Sequence, residues 1–100
     1  MDKYKVRIDI EALTDIREAY SWYEEQSKDL GKRYKSQVIS QINTLKKNPY
    51  LFSIKYNDIH CLKIKKFPFL VHFNIKENTV NVFAVLHTSM NPKIWEKRIK

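Results

Sequence analysis
Polar and apolar residues alternate at the start of the chain. In Lys3-Tyr4-Lys5-Val6-Arg7-Ile8-Asp9, the side chains of Tyr4, Val6 and Ile8 fall on one side. A period of two marks a half-buried strand. From about Ile10 the period lengthens. Ile10 or Leu13, Ile16, Ala19, Tyr20 and Tyr23 recur at steps of three and four, the stripe of an amphipathic helix. Asp9 or Thr14 is placed to cap its start, and Asp15 and Glu18 lie in its early turns, where the backbone dipole favours anions. The pattern fades at Gln26-Ser27-Lys28-Asp29, and Gly31, the sole glycine, is expected in the connection that follows. Leu30, Tyr34, Val38, Ile42 and Leu45 then form the clearest helical stripe of the sequence. Lys46-Lys47-Asn48-Pro49 ends it, with basic residues in the last turn and proline just beyond. Two helices joined by so short a link predict an antiparallel hairpin.

Past Pro49 the period returns to two. Residues 51–56 are short and ambiguous, and Asn57-Asp58 reads as a turn. His60, Leu62 and Ile64 then share one side, opposite Cys61, Lys63 and Lys65. Pro68 has no N–H to give and belongs at the start of the next strand, in which Phe69, Val71, Phe73 and Ile75 alternate with Leu70, His72 and Asn74. Lys76-Glu77-Asn78-Thr79 turns the chain. Residues 80–87 are apolar on both sides, as a central strand requires, and Pro92 sits where a short C-terminal helix could begin. The order β-α-α-β-β-β-α predicts an α+β domain. Its helix hairpin covers one face of a mainly antiparallel, curved sheet, and the other face is left open and cationic. Residues 1–100 read as one domain, with no repeat, linker or low-complexity segment.

Composition narrows the classes. A single cysteine, Cys61, excludes an internal disulfide and a cysteine-based zinc site. Three scattered histidines without carboxylates at ligand spacing give no metal set, and nothing in the chain calls for a cofactor. No apolar run approaches a membrane span and Met1-Asp2-Lys3-Tyr4-Lys5 lacks a signal-like apolar core, so a soluble cytoplasmic protein with no membrane partner is expected. The formal net charge is +8. It is unevenly placed: residues 1–29 carry five Lys/Arg against eight Asp/Glu, and residues 30–100 carry fourteen against three. Such a field draws in polyanions: nucleic acid or an acidic protein segment.

The layout resembles the RelE/ParE superfamily, the toxin halves of bacterial type II toxin–antitoxin (plasmid stabilisation) systems. The resemblance is carried by Ala12-x-x-Asp15-Ile16, Ala19-x-x-Trp22-Tyr23-Glu24-Glu25-Gln26, Leu30-Gly31-x-Arg33-Tyr34 and Ile42-x-x-Leu45-x-x-Asn48-Pro49-x-x-Phe52. It continues in Phe67-Pro68-Phe69, Ala84-Val85-Leu86-His87 and Asn91-Pro92-x-x-Trp95-x-x-Arg98. Its specificity lies in the ordered set, which spans nearly the whole chain. Trp-Tyr-Glu-Glu-Gln and Phe-Pro-Phe lean toward the ParE-like branch. The resemblance implies growth inhibition, neutralisation by a cognate antitoxin whose amphipathic segment fills a groove and masks positive charge, and a target that depends on the branch. ParE-like members poison DNA gyrase without turning over substrate. RelE-like members enter the ribosome and cut mRNA without a metal. A third possibility is an inactive paralogue kept for antitoxin binding, and a fourth is a generic nucleic-acid-binding domain.

One departure bears on this choice. The superfamily often shows His-x-x-Arg-x-Pro after the last long strand, and here the segment is His87-Thr88-Ser89-Met90-Asn91-Pro92. Arginine grips phosphate with a two-pronged fork; methionine carries no charge at all. For RNA cleavage the candidate acid or base is His87, whose type titrates near neutrality. Lys63, Lys65, Lys66 and Arg98 are the candidate contacts to phosphate or to another target. Against these stand plainer readings: a strand-end histidine bonded to backbone, and lysines on a solvated strand face. His60 and His72 read as structural, and Trp22, Tyr23 and Trp95 as core or interface residues.

Overall fold
The computed structural model describes residues 3–52, 54–56 and 58–90. Strand β1 (Lys5–Ile8) leads into helix α1 (Ile10–Gln26) and helix α2 (Leu30–Thr44); a single 3-10 turn (Pro49–Leu51) follows. Strands β2 (Ile54–Tyr56), β3 (Ile59–Lys63), β4 (Phe69–Lys76) and β5 (Thr79–His87) complete the described chain. The sheet order is β1-β5-β4-β3-β2. β2 to β5 pair antiparallel in succession, while β1 returns to lie parallel to β5 with Val6 opposite Val80 and Ile8 opposite Val82. The predicted α+β arrangement, with the helix hairpin on a mainly antiparallel sheet, is the observed one. The expected C-terminal helix falls outside the described residues.

The stripe of α2 is buried as its spacing demands, with Tyr34, Val38, Ile42 and Leu45 all at 2% exposure or less. They pack on Leu62, Ile64, Val71, Phe73, Val80, Val82 and Val85 of the sheet. In α1 the inner stripe is Ala12, Ile16, Ala19 and Tyr23. Ile10 and Leu13, one or the other of which was expected to share it, are 79% and 43% exposed, because the helix is rotated so that the small Ala12 meets the core. Asp9 occupies the N-cap position but makes no capping bond; its carboxylate pairs with Arg7 instead.

The hairpin junction differs from the simple glycine connection that was expected. The residue in the left-handed region is Asp29, at φ 67°, and Gly31 lies inside the first turn of α2. Its role is close approach. A Cβ built on Gly31 would stand 2.4 Å from the Tyr20 carbonyl oxygen and 2.6 Å from Glu24 Cγ. Glu24 reaches across to accept hydrogen bonds from the Asp29 and Lys32 backbone N–H groups at 3.3 and 3.2 Å, which satisfies the start of α2 from its neighbour.

A bulge explains why β5 is apolar on both sides. Phe73 pairs with Val82 but His72 pairs with Ala84, so Phe83 is the extra residue and the alternation changes phase there. Val80, Val82 and Val85 therefore all reach the helix side. Ile59, Phe83, Ala84 and Leu86 form a separate small cluster, each 7% exposed or less. With His72 at 3%, this corrects the expectation of an open cationic face: its centre is apolar and shielded from water.

Candidate functional site
The sequence candidates converge on one end of the sheet, where β3 ends, β4 begins and β5 ends. Phe67-Pro68-Phe69 crosses this end beneath the helix hairpin. The rings of Phe67 and Phe69 stand 5.4 and 5.0 Å from Tyr34 and 5.1 and 6.2 Å from Tyr23. Each such contact contributes about 0.5–1.5 kcal/mol beyond the buried area. Phe67 and Phe69 are 8% and 9% exposed, while Pro68 between them is exposed. The tripeptide is thus an anchored ridge, and a groove lies on either side of it.

The first groove, about 470 Å3, runs between α1 and the exit of β5. It forms because β1 is short. The last rung of β1 is the Asp9 N–H donating to the Val82 carbonyl, after which the chain turns into α1. The free flank of β5 is answered by α1 itself: Asp15 accepts a hydrogen bond from the Val85 N–H at 3.0 Å. One helical turn on, Glu18 and Trp22 line the opening, with Trp22 56% exposed. Phe69, His87 and Met90 close the other wall. Asp15 and Glu18 are the charged residues among its described lining; no lysine or arginine joins them there.

His87 stands in this groove with its ring edge-on to Phe69 at 5.3 Å. Its Nδ1 is occupied by Ser89, whose backbone N–H donates at 3.1 Å and whose hydroxyl lies at 2.7 Å. The lysines are elsewhere. Lys63 donates from Nζ to the carbonyls of Ile64 and Phe67, both at 3.2 Å, and so stitches the β3–β4 connection together. Lys65 is fixed by its backbone N–H, which donates to Gln41 Oε1 at 2.9 Å. Lys66, at φ 70°, lines the second groove, across the ridge from His87. Arg98 lies outside the described residues.

Near the ridge, the Tyr34 hydroxyl is fully buried and has no hydrogen-bond partner among the described residues. Burial, supported by neighbouring Tyr23 and Asp15, pushes its pKa far above the usual tyrosine range. His60 is stacked on Phe73 at 5.3 Å with Nδ1 at the Phe52 carbonyl, and His72 Nδ1 meets Cys61 Sγ at 3.3 Å. Among the described residues no group of three or more His, Cys, Asp or Glu is placed to hold a metal ion. No described helix is long and apolar enough to cross a membrane.

The family model for the ParE toxin of the type II toxin–antitoxin system parDE matches residues 6–92. The chain belongs to the ParE toxin family. Among solved structures it is similar to the chromosomal ParDE toxin–antitoxin system of P. aeruginosa, at TM-score 0.77 and 12% identity over 85% of this chain and 96% of that one. It is also similar to the E. coli toxin RelE, as a double arginine-to-alanine mutant in complex with a RelB antitoxin peptide. That match has TM-score 0.63 and 14% identity over 98% of this chain and 96% of that one. No curated protein matches the sequence. At such identities the structural likeness speaks for the fold, and the family match for the toxin.

Sequence reasoning named His87, Met90, Trp22 and Asp15 for other reasons but did not join them into one groove. Glu18 was read only as a helix-start anion. The available signal was the Asp15-x-x-Glu18-x-x-x-Trp22 spacing, which puts the three on one flank of α1 beside its buried stripe.

Proposed function
We propose that this ParE-family toxin acts as one domain in the cytoplasm, by binding and blocking DNA gyrase rather than by cutting RNA. A cognate antitoxin silences it by laying an amphipathic segment into the groove beside α1. The observation that carries this reading is the setting of His87. Cleavage through a ribose 2′-hydroxyl needs positive charge over the phosphate as well as an acid and a base. Around His87 the charged residues of the described lining are Glu18 and Asp15, the latter bonded to the Val85 N–H, and the position of the superfamily arginine is the apolar Met90. Lys63 is held by backbone carbonyls, and Lys66 is across the ridge. Carboxylates repel a phosphodiester and suit the rim of a protein-binding groove.

The same chemistry describes the antitoxin segment: apolar side chains for the floor between Trp22 and Phe69, and a basic residue for Glu18. The decisive experiment expresses the chain alone and with its antitoxin, then compares gyrase supercoiling with mRNA 5′-end mapping. The expected result is arrest relieved by the antitoxin, inhibited supercoiling and intact mRNA, all unchanged in His87→Ala. Codon-dependent cuts lost in His87→Ala would instead establish the nuclease reading. No arrest at all, with antitoxin binding retained, would mark an inactive paralogue.

A further inference from the structure
The second groove, about 460 Å3, lies between α2 and the β3–β4 connection. Lys32, Arg33, Ser36, Gln37 and Ser40 line it from the helix, and Lys66 from the connection. The helix residues follow one flank from position 32 to 40, a run of about 12 Å at about 1.5 Å per residue. The bond from Lys65 N–H to Gln41 Oε1 fixes the connection against the helix, so the two walls are held in register.

The charge is one-sided. Among the described residues no carboxylate lines this groove, and the sequence has none from Leu30 to Asn57. Lys32 is shared with Asp29 at 3.3 Å, an exposed pair. Arg33 and Lys66 have no acidic partner among the described residues. The helix start adds little, because Glu24 already takes the Asp29 and Lys32 N–H groups. The field here comes from side chains.

The lining also selects among polyanions. Single-stranded nucleic acid is held largely by bases stacking on exposed aromatic rings. The one ring among its described residues, Phe67, is 8% exposed. An acidic protein segment needs apolar anchor pockets to bind with useful affinity, and apart from the largely buried Phe67 the described side chains of this lining end in hydroxyl, amide or cationic groups. Those groups are the ones that contact phosphate and sugar along a duplex. We propose that this groove binds the phosphodiester backbone of duplex DNA, with Arg33 and Lys66 as the main contacts and the Ser36 and Ser40 hydroxyls as supporting donors. This goes beyond the toxin reading and does not rest on which target the toxin inhibits.

The test is anisotropy of labelled duplex DNA with the purified full chain across a salt series. Backbone binding of this kind has a dissociation constant of about 10⁻⁴ to 10⁻⁶ M near physiological salt, and about three neutralised phosphates give a log–log salt slope of about −2.7. The variant Arg33→Gln/Lys66→Asn keeps a residue tolerant of the left-handed region at position 66. It is expected to bind at least about tenfold more weakly, with the slope reduced by about 2. The control Lys5→Gln/Lys76→Gln removes the same charge at the far end of the sheet and is expected to bind within about twofold of wild type. Three results would overturn the proposal: a double variant that binds like wild type, a control that loses as much affinity, or single-stranded RNA bound at least tenfold more tightly than the duplex. Arrest and antitoxin binding are read in parallel on the same variants, so failure here is distinct from failure of the toxin reading.

Discussion
The two grooves share a wall and little else. On the α1 side of Phe67-Pro68-Phe69 the lining is apolar, with Trp22 exposed and two carboxylates present. On the α2 side it is cationic and hydroxyl-rich, with no acid among the described residues. Both are built by the same hairpin resting on the same anchored ridge, so the difference lies in which helix faces which side. The acidic excess of residues 1–29 and the basic excess of residues 30–100 are thereby turned into two adjacent surfaces of opposite character. A charge imbalance along the sequence, which by itself said only that polyanions are attracted, becomes under the two proposals a division of partners between the grooves.

Changes that break the comparison outright should be those that spoil the shared frame. Gly31→Ala places a Cβ against the Tyr20 carbonyl and the Glu24 side chain, so the helices must separate. A loss of about 2–3 kcal/mol in urea unfolding is expected, together with loss of both binding functions. Stability within about 0.5 kcal/mol of wild type would show that the close approach is not required.

A change on one side alone should leave the other intact. Trp22→Ala removes the most exposed aromatic of the α1 groove and little of the core. It should weaken antitoxin binding by about thirtyfold, about 2 kcal/mol at a hot-spot residue, with DNA affinity unchanged. Calorimetry against antitoxin and anisotropy against DNA would separate the two. Equal losses in both would show that the grooves are not independent.

The smallest effect tests the ridge between them. Tyr34→Phe deletes a buried hydroxyl that has no partner among the described residues, and should stabilise the fold by up to about 1 kcal/mol. The pH dependence has a definite sign. The folded pKa of Tyr34 lies above its ordinary value of 10.0, so the unfolded chain releases this proton first. Ionisation of this group therefore leaves stability unchanged below about pH 10 and lowers it as the pH climbs from there toward the folded value. In Tyr34→Phe that part of the alkaline fall should disappear. An unchanged alkaline profile would mean that the hydroxyl is satisfied in solution.

Much of the fold was legible because periodicity reports burial directly. The steps of four in α2, the alternation around Leu62 and Val71, and the apolar run from Val82 to Leu86 in β5 each have one economical structural reading. What stayed hidden depends on contacts between distant segments. Ile10 and Leu13 fit the stripe of α1 as well as Ala12 does, and only the rotation of the docked helix decides between them. Gly31 looked like a turn residue because the Tyr20 carbonyl it must clear belongs to the other helix. The change of phase at Phe83 has no local signal, and the apolar second side of residues 80–87 was credited to a central position in the sheet and not to a covered face, so the second face was misread as open and cationic.

The candidate site was legible as residues and not as a place. His87 and Lys66 lie at one end of the sheet but on opposite sides of a ridge whose position depends on four aromatic rings meeting in space. Lys63 looked like a phosphate contact because its bonds to the Ile64 and Phe67 carbonyls arise only when the β3–β4 connection closes.

The division of partners is tested most directly by titrating the cognate antitoxin into the isotope-labelled toxin and following backbone amide shifts. The account predicts large shifts confined to the flank of α1 around Glu18 and Trp22 and to the β5 exit at His87 and Met90, with Ser36, Ser40 and Lys66 unmoved. Shifts centred on Ser36, Ser40 and Lys66, with the α1 flank silent, would contradict it.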